Sequence, residues 1–179
     1  MKPAGFWHRY AAWSLDFAVL GALATLLTWS RLVAGWRETI DAGTALVADV
    51  GQAAADALMS GAPLPRIADD LLRQPQLLAA ADALQAGLLH LLLPWLLAYA
   101  LLAAAWHIVG ECTRWQGSPG KYALRLQATD RDGQPLRWPQ AALRHFAGAL
   151  SWLTLNLGHA LAAVAPQKRA LHDYIAAGR

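Results

Sequence analysis

Residues 6–36 read FWHRYAAWSLDFAVLGALATLLTWSRLVAGW, and this stretch decides the fold. From Phe17 to Ser30 there is no ionisable residue, and extending back to Ala11 adds only Asp16. At about 1.5 Å per residue, the roughly twenty residues from Ala11 to Ser30 cover about 30 Å, the thickness of a bilayer core. The reading is a transmembrane helix over about 11–33 with one carboxylate inside it.

Two other readings compete. A secretory signal has a shorter apolar core that ends in a small-residue cleavage site. Here Thr28, Trp29, Ser30 and Arg31 follow the core and an Asp interrupts it, so a retained helix is expected. The buried helix of a soluble domain is answered by composition. The 179 residues are 56% hydrophobic and 15% charged, against about 25% charged in soluble domains. Trp7 and Trp13 flank one end of the span and Trp29 and Trp36 the other, as indole rings do at the two membrane interfaces. Cys112 is the single cysteine, which excludes an intramolecular disulfide and a Cys-based metal site.

Charge placement orients the chain. Lys2 and Arg9 precede the first span, six Lys and Arg lie from Arg114 to Arg144, and Lys168, Arg169 and Arg179 close the sequence. The segment between the spans holds seven acids: Glu38, Asp41, Asp49, Asp56, Asp69, Asp70 and Asp82. The positive-inside rule then puts the N-terminus and the 110–144 segment in the cytoplasm and residues 37–83 outside. The formal charge of +3 is a topology signal, and no nucleic-acid partner is expected. The reading is a multi-pass protein of a bacterial-type inner membrane, partnered by the lipid bilayer and by either a second copy or another membrane protein.

Along residues 37–83, Leu46, Val47, Val50, Ala53, Ala54, Ala57 and Leu58 recur at helical spacing, with Asp49, Gln52 and Asp56 on the other face. This predicts an amphipathic helix in an extracytoplasmic insertion, its apolar stripe packed on a neighbouring helix or a partner. Gly61, Pro63 and Pro65 end it, and Leu64 to Leu72 make a further short helix. Pro75 suits the first turn of the next helix, whose apolar run over 86–109 is the second span, with Pro94 inside as a predicted kink. His90 and His107 are read as neutral hydrogen-bonding groups.

Gly117-Ser118-Pro119-Gly120-Lys121 invites a phosphate-loop reading that fails, because Trp115 and Tyr122 stand where a Gly and a Ser or Thr are needed. The alternation of Leu124, Leu126 and Ala128 with Arg125, Gln127 and Thr129, followed by Asp132-Gly133, predicts a small cytoplasmic β-hairpin from Tyr122 onward. Trp138-Pro139 starts a last helix, and a third apolar segment over about 140–165, holding Asn156 and Gly158, reads as bent or re-entrant. The whole is an all-α membrane protein: a helical transmembrane bundle forming one domain over 1–179, with 37–83 as its helical insertion.

In order, these pieces resemble the RDD family of small membrane proteins, named for one arginine and two aspartates. The resemblance rests on Ala4-Gly5-Phe6-Trp7 with Arg9, Ala12 and Asp16; on Gly117 to Lys121 with Leu124-Arg125-Leu126 and Gly133; on Leu143-Arg144; and on Gln167-Lys168-Arg169-Ala170-Leu171-His172-Asp173. It implies that Arg9, Asp16 and Asp173 are the naming residues. It also implies a membrane role, transport being often proposed and cation/proton antiport implied for some relatives. Ser118 stands where the family usually has Thr, and the outer segment is longer than usual.

The residues themselves say more about Asp16. Arg9 is seven positions away, about 10.5 Å along the axis, too far for a tight helical pair. A carboxylate in hydrocarbon costs about 3 kcal/mol on insertion scales, so Asp16 needs partners. Asp173, Arg144, Lys121 and His172 fall on the same side and are candidates to complete a network with it. That network is either a protonatable or cation-binding site or a structural latch, and the latch is favoured because Asp16 lies near the interface. Function divides likewise between a transport-related protein, an ion-coupled carrier or its subunit, and a non-transporting accessory module that binds a partner through the outer insertion. No nucleophile-base pair, metal cluster or cofactor loop is visible, so neither an enzyme nor a bound cofactor or metal is expected.

Overall fold

The computed structural model describes residues 5–61, 63–130 and 133–153. Among these the protein is mostly helical and has no β-strand. The helices are α1 (Phe6–Met59), α2 (Leu64–Arg73), α3 (Pro75–Cys112), α4 (Pro119–Ala123) and α5 (Trp138–Leu153). α1 and α3 are each long and apolar enough to cross a membrane, and only 17% and 6% of their most apolar windows are buried. The core helix of a soluble protein would hide that surface; here Leu26, Leu27, Leu92, Leu96 and Leu101 are exposed side by side with other apolar residues. An apolar surface of this size belongs against lipid.

The first difference from the sequence reading is that nothing ends the helix near Trp36. The predicted amphipathic helix is the continuation of α1, 54 residues in all. No proline interrupts residues 6–59, and Gly43 and Gly51 cost only about 1 kcal/mol each relative to Ala. That is too little to break a helix with a packed neighbour. The polar hydroxyls also stay inside the helix, Thr28 and Thr39 each donating to a carbonyl one turn back, of Ala24 and Gly35, at 2.7 Å. α3 likewise runs unbroken past Pro94.

The second difference is the hairpin. Pro119 occupies the first turn of α4 after Ser118 in extended conformation, so the start of the expected first strand is taken by a helical turn. Arg125 then adopts a φ of 55°, which no strand allows. Of the hairpin there remains one antiparallel bridge, Thr129 with Pro135, around a turn in which the Asp130 carboxylate accepts from the Gln134 N–H at 2.8 Å. Of the third apolar segment, α5 is described as far as Leu153; the rest of it, with Asn156, Gly158 and the C-terminal residues His172 and Asp173, lies outside the described residues.

The chain gathers into two compact units, residues 1–23 with 99–179, and residues 24–98. In the second unit, α1 and α3 run antiparallel at very close range. A Cβ on Gly35 would come within 2.6 Å of the Leu91 backbone, and one on Gly87 within 3.0 Å of the Thr39 nitrogen. Small residues allow this approach, which maximises dispersion where no hydrophobic drive separates helix from lipid. Beside this seam the Trp95 indole donates to Thr25 Oγ1 at 2.9 Å, and His90 meets Glu38 at 2.8 Å with both side chains exposed. Ala53, Ile67 and Leu77 are buried where α2 and the start of α3 meet the end of α1.

In the first unit a small core of Ala128, Leu136 and Ala141, backed by Ile108 and Cys112, fixes the α3–α5 connection to the end of α3. The His107 and His145 rings stack across it at 5.8 Å.

The glycine seam yields a paired test. Gly35→Ala should lower thermal stability in detergent by several degrees, because the methyl group must push α3 away. Gly51→Ala, with nothing within 4 Å of the added carbon, should leave it equal or higher by up to about 1 kcal/mol. Equal effects from the two would refute the close packing.

Candidate functional site: a buried aspartate and its donors

Asp16 is 2% exposed. Its Oδ1 accepts from the Trp106 indole N–H at 2.9 Å and from the Gly120 backbone N–H at 2.8 Å, and its Oδ2 accepts from the Ser118 hydroxyl at 2.5 Å. All four residues belong to the first unit. Three hydrogen bonds replace the water that the carboxyl group loses on burial, which is what makes its position tolerable.

Each donor is placed by its own segment. Trp106 comes from the last turns of α3. Gly120 is in the first turn of α4, where a backbone N–H has no helical acceptor and is available to a carboxylate. Ser118 precedes that turn in extended conformation and turns its hydroxyl to Asp16 rather than to its own helix. Glycine is required at 120 by space alone. A Cβ there would stand 2.3 Å from the Ala12 carbonyl oxygen and 2.8 Å from the Asp16 carboxyl carbon. The loop is pressed onto α1 at both ends of one helical turn, Ala12 and Asp16. A second contact closes it from behind, since a Cβ on Gly110 would lie 2.8 Å from the Gly117 carbonyl oxygen.

Beside this lies a second buried charge group. Lys121 forms an ion pair with Glu111, which is 4% exposed. Arg144, 7% exposed, acts electrostatically on the same Glu111 carboxylate. Both of the predicted network's inner cations therefore attend Glu111. Arg9 is half-buried on α1, two turns before Asp16. Asp173 and His172, the other two members, lie outside the described residues.

The sequence reading thus found the carboxylate and the loop but missed three participants. Ser118 enters that reading only as part of a failed phosphate loop, and Trp106 and Glu111 have no place in its network. The signal for Ser118 is present in the sequence: a buried carboxylate needs donors, and Ser-Pro-Gly at a helix start offers a hydroxyl beside an unclaimed N–H. Among the described residues no group of three or more His, Cys, Asp or Glu is arranged to hold a metal ion.

With the geometry described, comparison with known proteins gives one result. Residues 3–177 match the RDD family. The chain belongs to the RDD family. With its apolar α1 and α3 it is a membrane protein of that family. No curated protein and no solved structure matches it. In this RDD protein the family's first aspartate, as the sequence resemblance assigns it, is the acceptor that seats the α4 loop on α1.

The latch predicts a specific pattern. Asp16→Ala orphans three donors, two of them buried, and should cost about 2–4 kcal/mol in thermal or denaturant unfolding in detergent. Ser118→Ala should cost about 1 kcal/mol, and the double variant should cost no more than Asp16→Ala alone. Additive losses would show that the two side chains act independently.

Proposed function

We propose that this RDD protein is a non-transporting accessory module of the membrane, its buried charges serving to hold its helices and loops in one arrangement. The observation that carries the reading is the full engagement of Asp16. A carboxylate that loads and releases an ion needs coordination sites open to it, whereas this one is 2% exposed and bonded through both oxygens. Glu111 is likewise held by Lys121 beside Arg144. Beyond the apolar spans, Val47, Leu58, Met59 and Leu72 are exposed in the second unit, and this supports an apolar contact with a partner protein. The distribution of Lys and Arg supports an inner-membrane orientation with the N-terminus in the cytoplasm.

The second reading is an ion-coupled carrier, working as an oligomer or as a carrier subunit. It is favoured by the two carboxylates, Asp16 and Glu111, buried near the ends of membrane-spanning helices, since intramembrane acids commonly mark ion paths.

Reconstitution separates the two. Purified protein in liposomes should give no Na⁺- or pH-driven flux, with or without Asp16→Asn. Flux by the natural protein that Asp16→Asn abolishes while thermal stability is kept would replace the accessory reading with the carrier. On the accessory side, Leu58→Ser with Met59→Ser should release a stoichiometric membrane partner without changing the unfolding temperature.

A further inference from the structure

The connection between α3 and α5 carries a second feature that the Asp16 latch does not use. Arg114 follows α3, Arg125 follows α4, and Arg137 immediately precedes α5; all three are exposed. None has a carboxylate partner among the described residues. The nearby charges are otherwise engaged, Lys121 with Glu111 and Asp130 within its own turn. Interleaved with the three arginines are exposed aromatic side chains, Trp115 and Tyr122 with ring centroids 5.5 Å apart, and Trp138.

The depth of this surface follows from the latch. Asp16 lies five residues, about 7.5 Å, inside an apolar span that starts near residue 11. The Gly120 backbone is in contact with Ala12 and Asp16, so the α4 loop sits at the outer turns of the apolar stretch of α1. The same loop follows the end of α3, and the Ala128–Leu136–Ala141 core ties the start of α5 to Ile108 and Cys112 at that end. All three arginines therefore belong to a connection that is held at the end of α3 and at the outer part of the apolar stretch of α1, which for two spanning helices is the level where hydrocarbon gives way to headgroups. At that level aromatic rings with polar edges are favoured, and a guanidinium finds phosphate oxygens, which it binds in bidentate fashion.

The geometry points to an anionic-phospholipid site at this end of the first unit, in which Arg114, Arg125 and Arg137 hold headgroup phosphates and Trp115, Tyr122 and Trp138 flank the glycerol region. Neutral zwitterionic lipid offers the same phosphate with an attached cation, so preference for net-negative headgroups is the signature. A basic side chain near such a surface contributes about 1 kcal/mol, or about fivefold, to the preference.

The test uses the full chain in nanodiscs of pure phosphatidylcholine and of phosphatidylcholine with phosphatidylglycerol, reading the unfolding temperature and the phosphatidylglycerol molecules retained in native mass spectrometry. The natural protein should unfold at higher temperature in the anionic discs and retain phosphatidylglycerol preferentially, and raising salt to about 1 M, where the Debye length is about 3 Å, should remove the temperature difference. Arg114→Gln, Arg125→Gln and Arg137→Gln should each weaken retention about fivefold, with unfolding in pure phosphatidylcholine unchanged. Equal stability in both discs, a salt-independent difference, or full retention by all three variants would overturn the site. So would equal stabilisation by inorganic phosphate, which would make it a free-anion site. The salt arm on the natural chain stands even if a variant does not fold.

Discussion

A carboxylate cut off from water must either find donors or move out, and the first unit is arranged around that necessity. Asp16 takes one donor from the end of α3, one from the residue that precedes α4 and one from the α4 backbone. Two hydrogen bonds to side chains could be traded for others by rotamer changes. The bond to the Gly120 N–H cannot, because it fixes the position of the main chain. Glycine at 120 is then dictated by Asp16 as much as by the loop, since any side chain would meet the Ala12 carbonyl.

The Glu111 group extends the same logic. Isolated buried ions are costly, and pairing alone seldom recovers the loss. Lys121 pairs with the Glu111 carboxylate, on which Arg144 also acts electrostatically, and Lys121 is the residue next to Gly120. The backbone seated by Asp16 thus delivers the cation that satisfies Glu111. One loop serves two buried acids, and disturbing its seat exposes both of them to an unfavourable environment.

Much of this was legible from residue order. The apolar lengths pointed to two helices long and apolar enough to cross a membrane, Pro75 and Trp138-Pro139 marked where helices begin, and Asp16 stood out as the group needing partners. Legibility failed where tertiary contacts override local pattern. Residues 37–59 are polar enough to look like a separate element, yet no proline ends α1 and α3 packs against it through Gly35 and Gly87. The alternation after Tyr122 has strand period, but Ser118-Pro119 starts a helical turn first and the loop must bend to reach Asp16. Charge reasoning also looked for ionic partners to Asp16. The neutral donors Trp106, Ser118 and a peptide N–H solve the problem without placing more charge in a dry site, and no spacing rule marks a residue 104 positions away as a ligand.

That separation sets an order in time. A chain made at about 5–20 residues per second presents Gly120 roughly 5–20 s after Asp16. Throughout that interval α1 has its carboxylate without the α4 loop, so its least costly setting is one in which headgroup water reaches Asp16. When the loop arrives, its donors take the place of that water at Asp16. α1 is therefore fixed in its unit only once the chain 104 positions further on has been made, and the contact of Gly120 with Ala12 is the point at which the two meet.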